Sequence, residues 1–181
     1  MAATPYKEAD LVQAGVGTLY VAPLATATPT NATATIPAGW REIGYTDTGA
    51  TIGTETETEE IEVAEEQSPI RTVITKITGS VEFAMAQVTA SNLALALNLG
   101  ASVPDNVSSV APPVAGADES VMLMLDSAQG ARWIFYSGKN SSGLSLERVK
   151  TGKTLIPVTF AIEKVTGKNL FDVFPSSEGL V

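Results

Sequence analysis

The sequence predicts a mainly β protein, a β-sandwich or small β-barrel with one short α-helix and a long β-hairpin arm. Three observations carry that prediction. Apolar and polar residues alternate with period two in several separate runs, β-branched and aromatic residues fill those runs, and clusters of Gly, Pro, Asn and Ser punctuate them. With 181 residues, 44% of them hydrophobic, the chain is expected to fold as a single domain over residues 1–181. An N-terminal arm and a C-terminal tail would extend from it.

Gly15 to Pro23 reads as a strand opened by glycines and closed by proline, with Leu19, Tyr20 and Val21 inside it. Residues 24–39 are a low-complexity run of Ala, Thr and Pro with little to bury, expected to form an exposed loop. Trp40 to Tyr45 resumes order, and Thr46-Asp47-Thr48-Gly49 supplies turn chemistry before the next strand. From Thr51 to Glu66 the alternation suits a strand, but its phase changes. Carboxylates hold odd positions through Glu59 and even ones at Glu60 and Glu62, while Ile61 and Val63 take the odd face. This predicts either a strand whose far half leaves the subunit core or a bulge near Glu59-Glu60.

Ser68-Pro69 marks a turn, and the chain returns through Ile70 to Thr78. Apolar residues at 70, 73, 74 and 77 match a helical spacing, yet the β-branched composition penalises helix, and we assign strand. The two segments make a long hairpin over residues 51–78, longer than an ordinary strand pair. Gly79 is expected to break it, with Val81, Phe83 and Met85 alternating inward on a further strand. Thr89 to Asn92 offers N-cap residues for a helix over about 90–99, with Gly100 as its stop. After a proline-bearing surface loop, 101–119, a β-meander is expected at Val121–Asp126, Arg132–Tyr136, Leu144–Lys150 and Thr154–Val165, with a turn at 138–143. Leu170 to Pro175 is a hydrophobic tail without an evident partner in that meander, and such tails often pack on a neighbour.

Composition narrows the chemistry. The chain has no cysteine, so disulfides and thiolate metal sites are excluded, and no histidine, which removes Ser-His and Cys-His nucleophile systems and imidazole ligands. We expect no enzyme and no cofactor. A formal charge of −9 is the wrong sign for gripping phosphates through counterion release. It suits a conduit that lets a polyanion slide without sticking. No apolar stretch is long enough to span a membrane, and the N-terminus lacks the order of a signal peptide, so a protein made in the cytoplasm is expected.

The run Gly17-Thr18-Leu19-Tyr20-Val21-Ala22-Pro23, the Ala/Thr/Pro loop, Trp40 and then Gly44-Tyr45-Thr46-Asp47-Thr48-Gly49 resemble the opening of siphophage tail tube proteins, especially those of actinobacterial phages. The acidic hairpin follows in its place, and Ser80 to Leu97 is similar to the family's strand leading into a short helix. The resemblance covers roughly residues 15 to 100. It implies a virion tail protein whose copies form six-membered rings, stacked into a tube that DNA traverses without sequence-specific binding. Its further partners would be a tape measure protein and tail tip or terminator proteins. The candidate lumen or ring-contact residues carried over are Glu55, Glu57, Glu59, Glu60, Glu62, Arg71 and Lys76, with the inward face left open. Trp40, Leu170, Phe171 and Phe174 are the candidate subunit-interface residues.

Other readings of the same residues compete. The acidic run is equally a solvated strand face that keeps the protein soluble. Paired carboxylates for glycoside hydrolysis need two groups singled out across a cleft, which seven like charges on one strand do not provide. Calcium loops need a spacing that is missing here. Trp133 and Phe135 alternate as core aromatics do, and Trp40 anchors either the return of its loop or a neighbouring subunit. A tail terminator or joining protein, or a monomeric β-sandwich binding module, remains the alternative at the level of function.

Overall fold

The computed structural model describes residues 17–61, 68, 70–127, 130–146 and 152–175. The N-terminal arm, Glu62 and Lys150 therefore lie outside the described residues. Eight strands and one helix follow in the order β1 (Gly17–Pro23), β2 (Arg41–Glu42), β3 (Thr46–Ile61), β4 (Arg71–Met85), α1 (Ala90–Ala96), β5 (Val121–Ser127), β6 (Arg132–Asn140), β7 (Ile156–Ile162) and β8 (Phe171–Phe174). All pairings between these strands are antiparallel, in the order β2-β1-β5-β6-β7-β4-β3, and the sheet is open rather than closed. β6 forks it: Arg132 to Phe135 pair with β8, and Gly138 to Asn140 pair with β7. The protein is thus mainly β and consistent with a sandwich, not a closed barrel.

Burial on both faces of the sheet explains the composition of its centre. Val121, Met122, Leu123 and Met124 are buried in succession. Val121 and Leu123 join the main core with Val81, Phe83, Phe135 and Phe160, where Phe83 and Phe160 stack with ring centroids 5.7 Å apart. Met122 and Met124 point the other way, into a second cluster covered by Ile36 and Trp40. The Ala/Thr/Pro loop, mostly exposed, is nonetheless tied down. Trp40 Nε1 donates to Ala27 O at 2.8 Å. Arg132, 4% exposed, pairs with Asp126 through two hydrogen bonds and donates to Asn31 O and Ala34 O. A buried guanidinium is tolerable only with its donors satisfied in this way, so the loop carbonyls are part of the fold.

Four local expectations differ from the structure, each for a physical reason. Gly79 does not break β4, which runs unbroken from Arg71 to Met85. Leu170 and Ile162 approach it so closely that a Cβ there would lie 3.2 Å from Leu170 Cδ2. The glycine makes room for packing. Thr46 to Gly49 are not a turn before the strand but its irregular start, since Thr46 faces Met85 and Ala50 faces Phe83, with Gly49 at φ 84°. The turn expected at 138–143 is shorter, because Gly138, Lys139 and Asn140 continue β6 against β7. Asn140 then makes the turn itself, its Oδ1 accepting from the Ser142 N–H and hydroxyl and its Nδ2 donating to Gly143 O. Leu144 to Leu146 accordingly form no strand and are exposed.

The helix begins as expected and ends early. Thr89 caps it, accepting from the Asn92 N–H, but Asn98 rather than Gly100 stops it. Asn98 is left-handed at φ 57°, with its N–H donating to Leu95 O and the Leu99 N–H to Ala94 O. That pattern is a Schellman cap, in which asparagine can stand for glycine. The Asn98 side chain also exchanges hydrogen bonds with the Asn140 backbone at 2.8 and 2.9 Å, locking the helix end to β6. Asn98→Ala should cost about 2–3 kcal/mol in urea unfolding, from the left-handed penalty plus the lost hydrogen bonds. Asn98→Gly, which relieves the backbone penalty, should cost less than Asn98→Ala. Equal losses would show that backbone strain plays no part.

Candidate functional site

The hairpin arm is built by two strands that start in the core and leave it. At Ala50↔Phe83 and Ile52↔Val81 the pair covers the main cluster. From Glu55↔Thr78 outward it has no further layer over it, and nearly every residue is exposed. The ladder continues to Ile61↔Arg71, closed by the Ile70 N–H donating to Ile61 O at 3.0 Å. Among the described residues β3 has no partner along its other edge.

The expected bulge exists, but on the opposite strand and nearer the core. Glu57 faces Lys76 and the next residue, Thr58, faces Ile74, so Thr75 is the extra residue. Its hydroxyl donates to Glu57 O at 3.2 Å. The bulge resolves the puzzling spacing of the return strand. Inserting one residue puts Ile74 and Ile77, three apart, on the same face, a spacing that otherwise signals helix.

The two faces of the arm differ in chemistry. On one, Glu55, Glu57, Glu59 and Ile61 stand opposite Thr78, Lys76, Val73 and Arg71. On the other, which continues the core face, Thr56, Thr58 and Glu60 stand opposite Ile77, Ile74 and Thr72. The carboxylates therefore keep one phase through Glu59, and Glu60 is simply on the second face. Lys76 Nζ meets Glu57 Oε1 at 3.0 Å, but both side chains are more than half exposed, so the pair is worth under about 1 kcal/mol. Ile74 and Ile77 are 59% and 53% exposed, unusual for isoleucines extending a core row.

These isoleucines and the segment between β7 and β8 enclose a groove of about 470 Å³, lined also by Lys164, Lys168 and Leu170. Two sequence candidates, Lys76 and Leu170, thus line this groove together, Glu57 meets Lys76 from the same face of the arm, and Trp40 and Phe174 meet elsewhere, in the second cluster. Phe171 and Phe174 do find partners in their own subunit: β8 pairs with β6, Phe171 packs on Trp133 and Phe135, and Phe174 joins the second cluster. Trp40 lies in that second cluster too, holding the return of its loop. The signal missed in the sequence was Lys164 and Lys168, ordinary surface lysines until the turn sets them beside an apolar row. Among the described residues no group of acidic side chains converges as a metal site.

A tyrosine-carboxylate tie secures the groove's outer wall. Tyr136 Oη donates to Asp172, Asn169 Nδ2 donates to Asp172 Oδ1 at 2.9 Å, and Lys168 Nζ lies 5.0 Å above the Tyr136 ring. Burial, then Asp172, pushes the Tyr136 hydroxyl up to about 12. Hydrogen bonds from Asn169 and then Tyr136 hold the Asp172 carboxyl below its ordinary value. A depressed carboxyl contributes its stability in full above the unfolded pKa near 4 and loses it as pH falls through the folded value. The stability difference between wild type and Asp172→Asn should therefore shrink as pH falls from about 7 to about 3, followed by urea midpoints. A difference independent of pH would rule out this tie.

No curated protein matches this chain. The family described as "Phage tail tube protein" matches residues 4–176. That span takes in the core, the two-faced arm and the groove. The chain therefore belongs to the phage tail tube protein family and is a structural component of the virion tail, of a kind that self-assembles with other tail proteins into a tube.

Proposed function

We propose that the protein is the major tail tube subunit, forming hexameric rings that stack into the channel through which DNA is ejected. The observation that carries this reading is the arm, an exposed strand pair with Glu55, Glu57 and Glu59 on one face and the exposed Ile74 and Ile77, among threonines, on the other. In the assembled tube the Glu55, Glu57 and Glu59 face lines the bore. The Ile74 and Ile77 face turns toward neighbouring subunits, where burying the half of each isoleucine still exposed contributes about 1–1.5 kcal/mol. The unpaired edge of β3 is satisfied by assembly, since a long free edge on a soluble monomer invites pairing. A tape measure protein occupies the lumen before DNA does, and a terminator closes the stack. Catalysis has no part in this function.

The acidic lining works by field. On that face Glu55, Glu57 and Glu59 outnumber Lys76 and Arg71, and Lys76 is already paired with Glu57, so phosphates sliding past meet net repulsion and few free cations to hold them. Electron microscopy of the purified protein at high concentration, with and without tail initiators, should show stacked rings. Single rings would indicate a terminator or joining protein, and a persistent monomer would rule out both. Replacing Glu55, Glu57 and Glu59 with Lys should slow DNA ejection from assembled virions and introduce salt-dependent DNA retention. Unchanged ejection would mean that this face does not line the bore.

A further inference from the structure

The groove at the root of the arm has a floor and a charge that together define what fits it. Ile74, Ile77 and Leu170 supply an apolar floor, with Leu170 packed over Gly79. Lys164 and Lys168 stand on the wall formed by the β7–β8 segment. Lys164 has no ion pair or side-chain hydrogen bond among the described residues, whereas Lys168, an exposed residue, holds its ammonium over the Tyr136 ring and within the field of the Asp172 carboxylate, which leaves Lys164 as the uncompensated cation. The nearest acid in sequence, Glu163, directs its carboxylate to the Ser120 and Ser137 hydroxyls. In a chain of net charge −9 this is a local excess of positive charge beside exposed isoleucines. Its complement is an extended segment that joins a carboxylate to branched apolar side chains.

The tip of the arm has that composition. Glu60 lies on the same face as Ile74 and Ile77, and Ile61 and Ile70 at the end of the ladder are 43% and 57% exposed. The tip cannot reach the groove of its own subunit. The ladder is continuous from Thr56↔Ile77 to Ile61↔Arg71, which sets the tip roughly 16 Å beyond the groove at about 3.3 Å per residue. We infer that the groove receives the arm tip of a second copy, with Ile70 over the apolar floor and Glu60 against Lys164, while Ile61 on the opposite face is left outside the contact. This rests on the tube-subunit reading and gives it a specific contact: each arm anchors at the root of another.

A charge-exchange series on the full chain tests the contact. Lys164→Glu should raise the protein concentration needed for tube formation about tenfold or more, because like charges then face each other across the interface. Glu60→Lys should do the same for the reciprocal reason, and the double variant Lys164→Glu/Glu60→Lys should restore assembly toward wild type. Thermal unfolding of each monomer serves as the folding control, and Lys164→Gln gives a milder charge loss should the reversal fail to fold. Single variants that assemble as well as wild type, or a double variant no better than the singles, would overturn the inference while leaving the tube reading intact. A wild-type protein that forms no ring or tube would overturn the tube reading itself.

Discussion

The structure depends on one continuous antiparallel ladder, β3 against β4, that is anchored in the core at one end and free of it at the other. Without Val81, Phe83 and Met85 paired beside β7 and buried in the core that includes Leu95 and Ala96 of the helix, the outer half would be an isolated two-stranded ribbon, marginal in water. With that anchor, the pairing geometry alone dictates the arm's chemistry. Residues opposite one another share a face, so a row of carboxylates and a row of isoleucines are separated by the thickness of the sheet. The bulge at Thr75 keeps them separated, since without it Ile74 would turn to the acidic side.

The rest of the fold supports this arrangement by filling both sides of the sheet's centre. Two buried asparagines do much of the joining where apolar packing cannot. Asn92, 1% exposed, donates to Ile43 O and Gln87 O and accepts from Arg41. Asn140 reaches Ala96 O at the helix end. Side chains with two donors and an acceptor satisfy backbone groups left over where helix, loop and strand meet. They also hold β4 and β7, and hence the root of the arm, in fixed relation.

Much of this was legible in the sequence where the pattern was local. β-branched and aromatic runs bounded by turn residues, with alternation in the acidic strand, identified β1, the arm strands, β5, β6 and β7, and Thr89 announced the helix start. What was not legible depended on distant partners. Gly79 looked like a breaker because Leu170 and Ile162, which need its missing side chain, are far away in sequence. Asn98 was passed over for Gly100 because the bonds that hold it left-handed run to Asn140. The bulge was expected in the strand whose carboxylates change parity, yet it sits in the partner, since a register shift belongs to a pair of strands. The tail at Phe171 to Phe174 seemed unpartnered because β6 was taken to end at Tyr136, which hid how it forks between β7 and β8. The groove was invisible for the same reason, joining residues 74–77 to 164–170.

In the proposed tube the arm's two faces have different fates, one covered by protein and one left open to the bore. Hydroxyl-radical footprinting of the monomer and of assembled tubes measures this directly, residue by residue. Ile74, Ile77 and Leu170 should be strongly protected in the tube, while Glu55 and Glu59 remain reactive to radicals entering the lumen. Equal reactivity of the isoleucines in monomer and tube, or protection of the carboxylate face in their place, would contradict this.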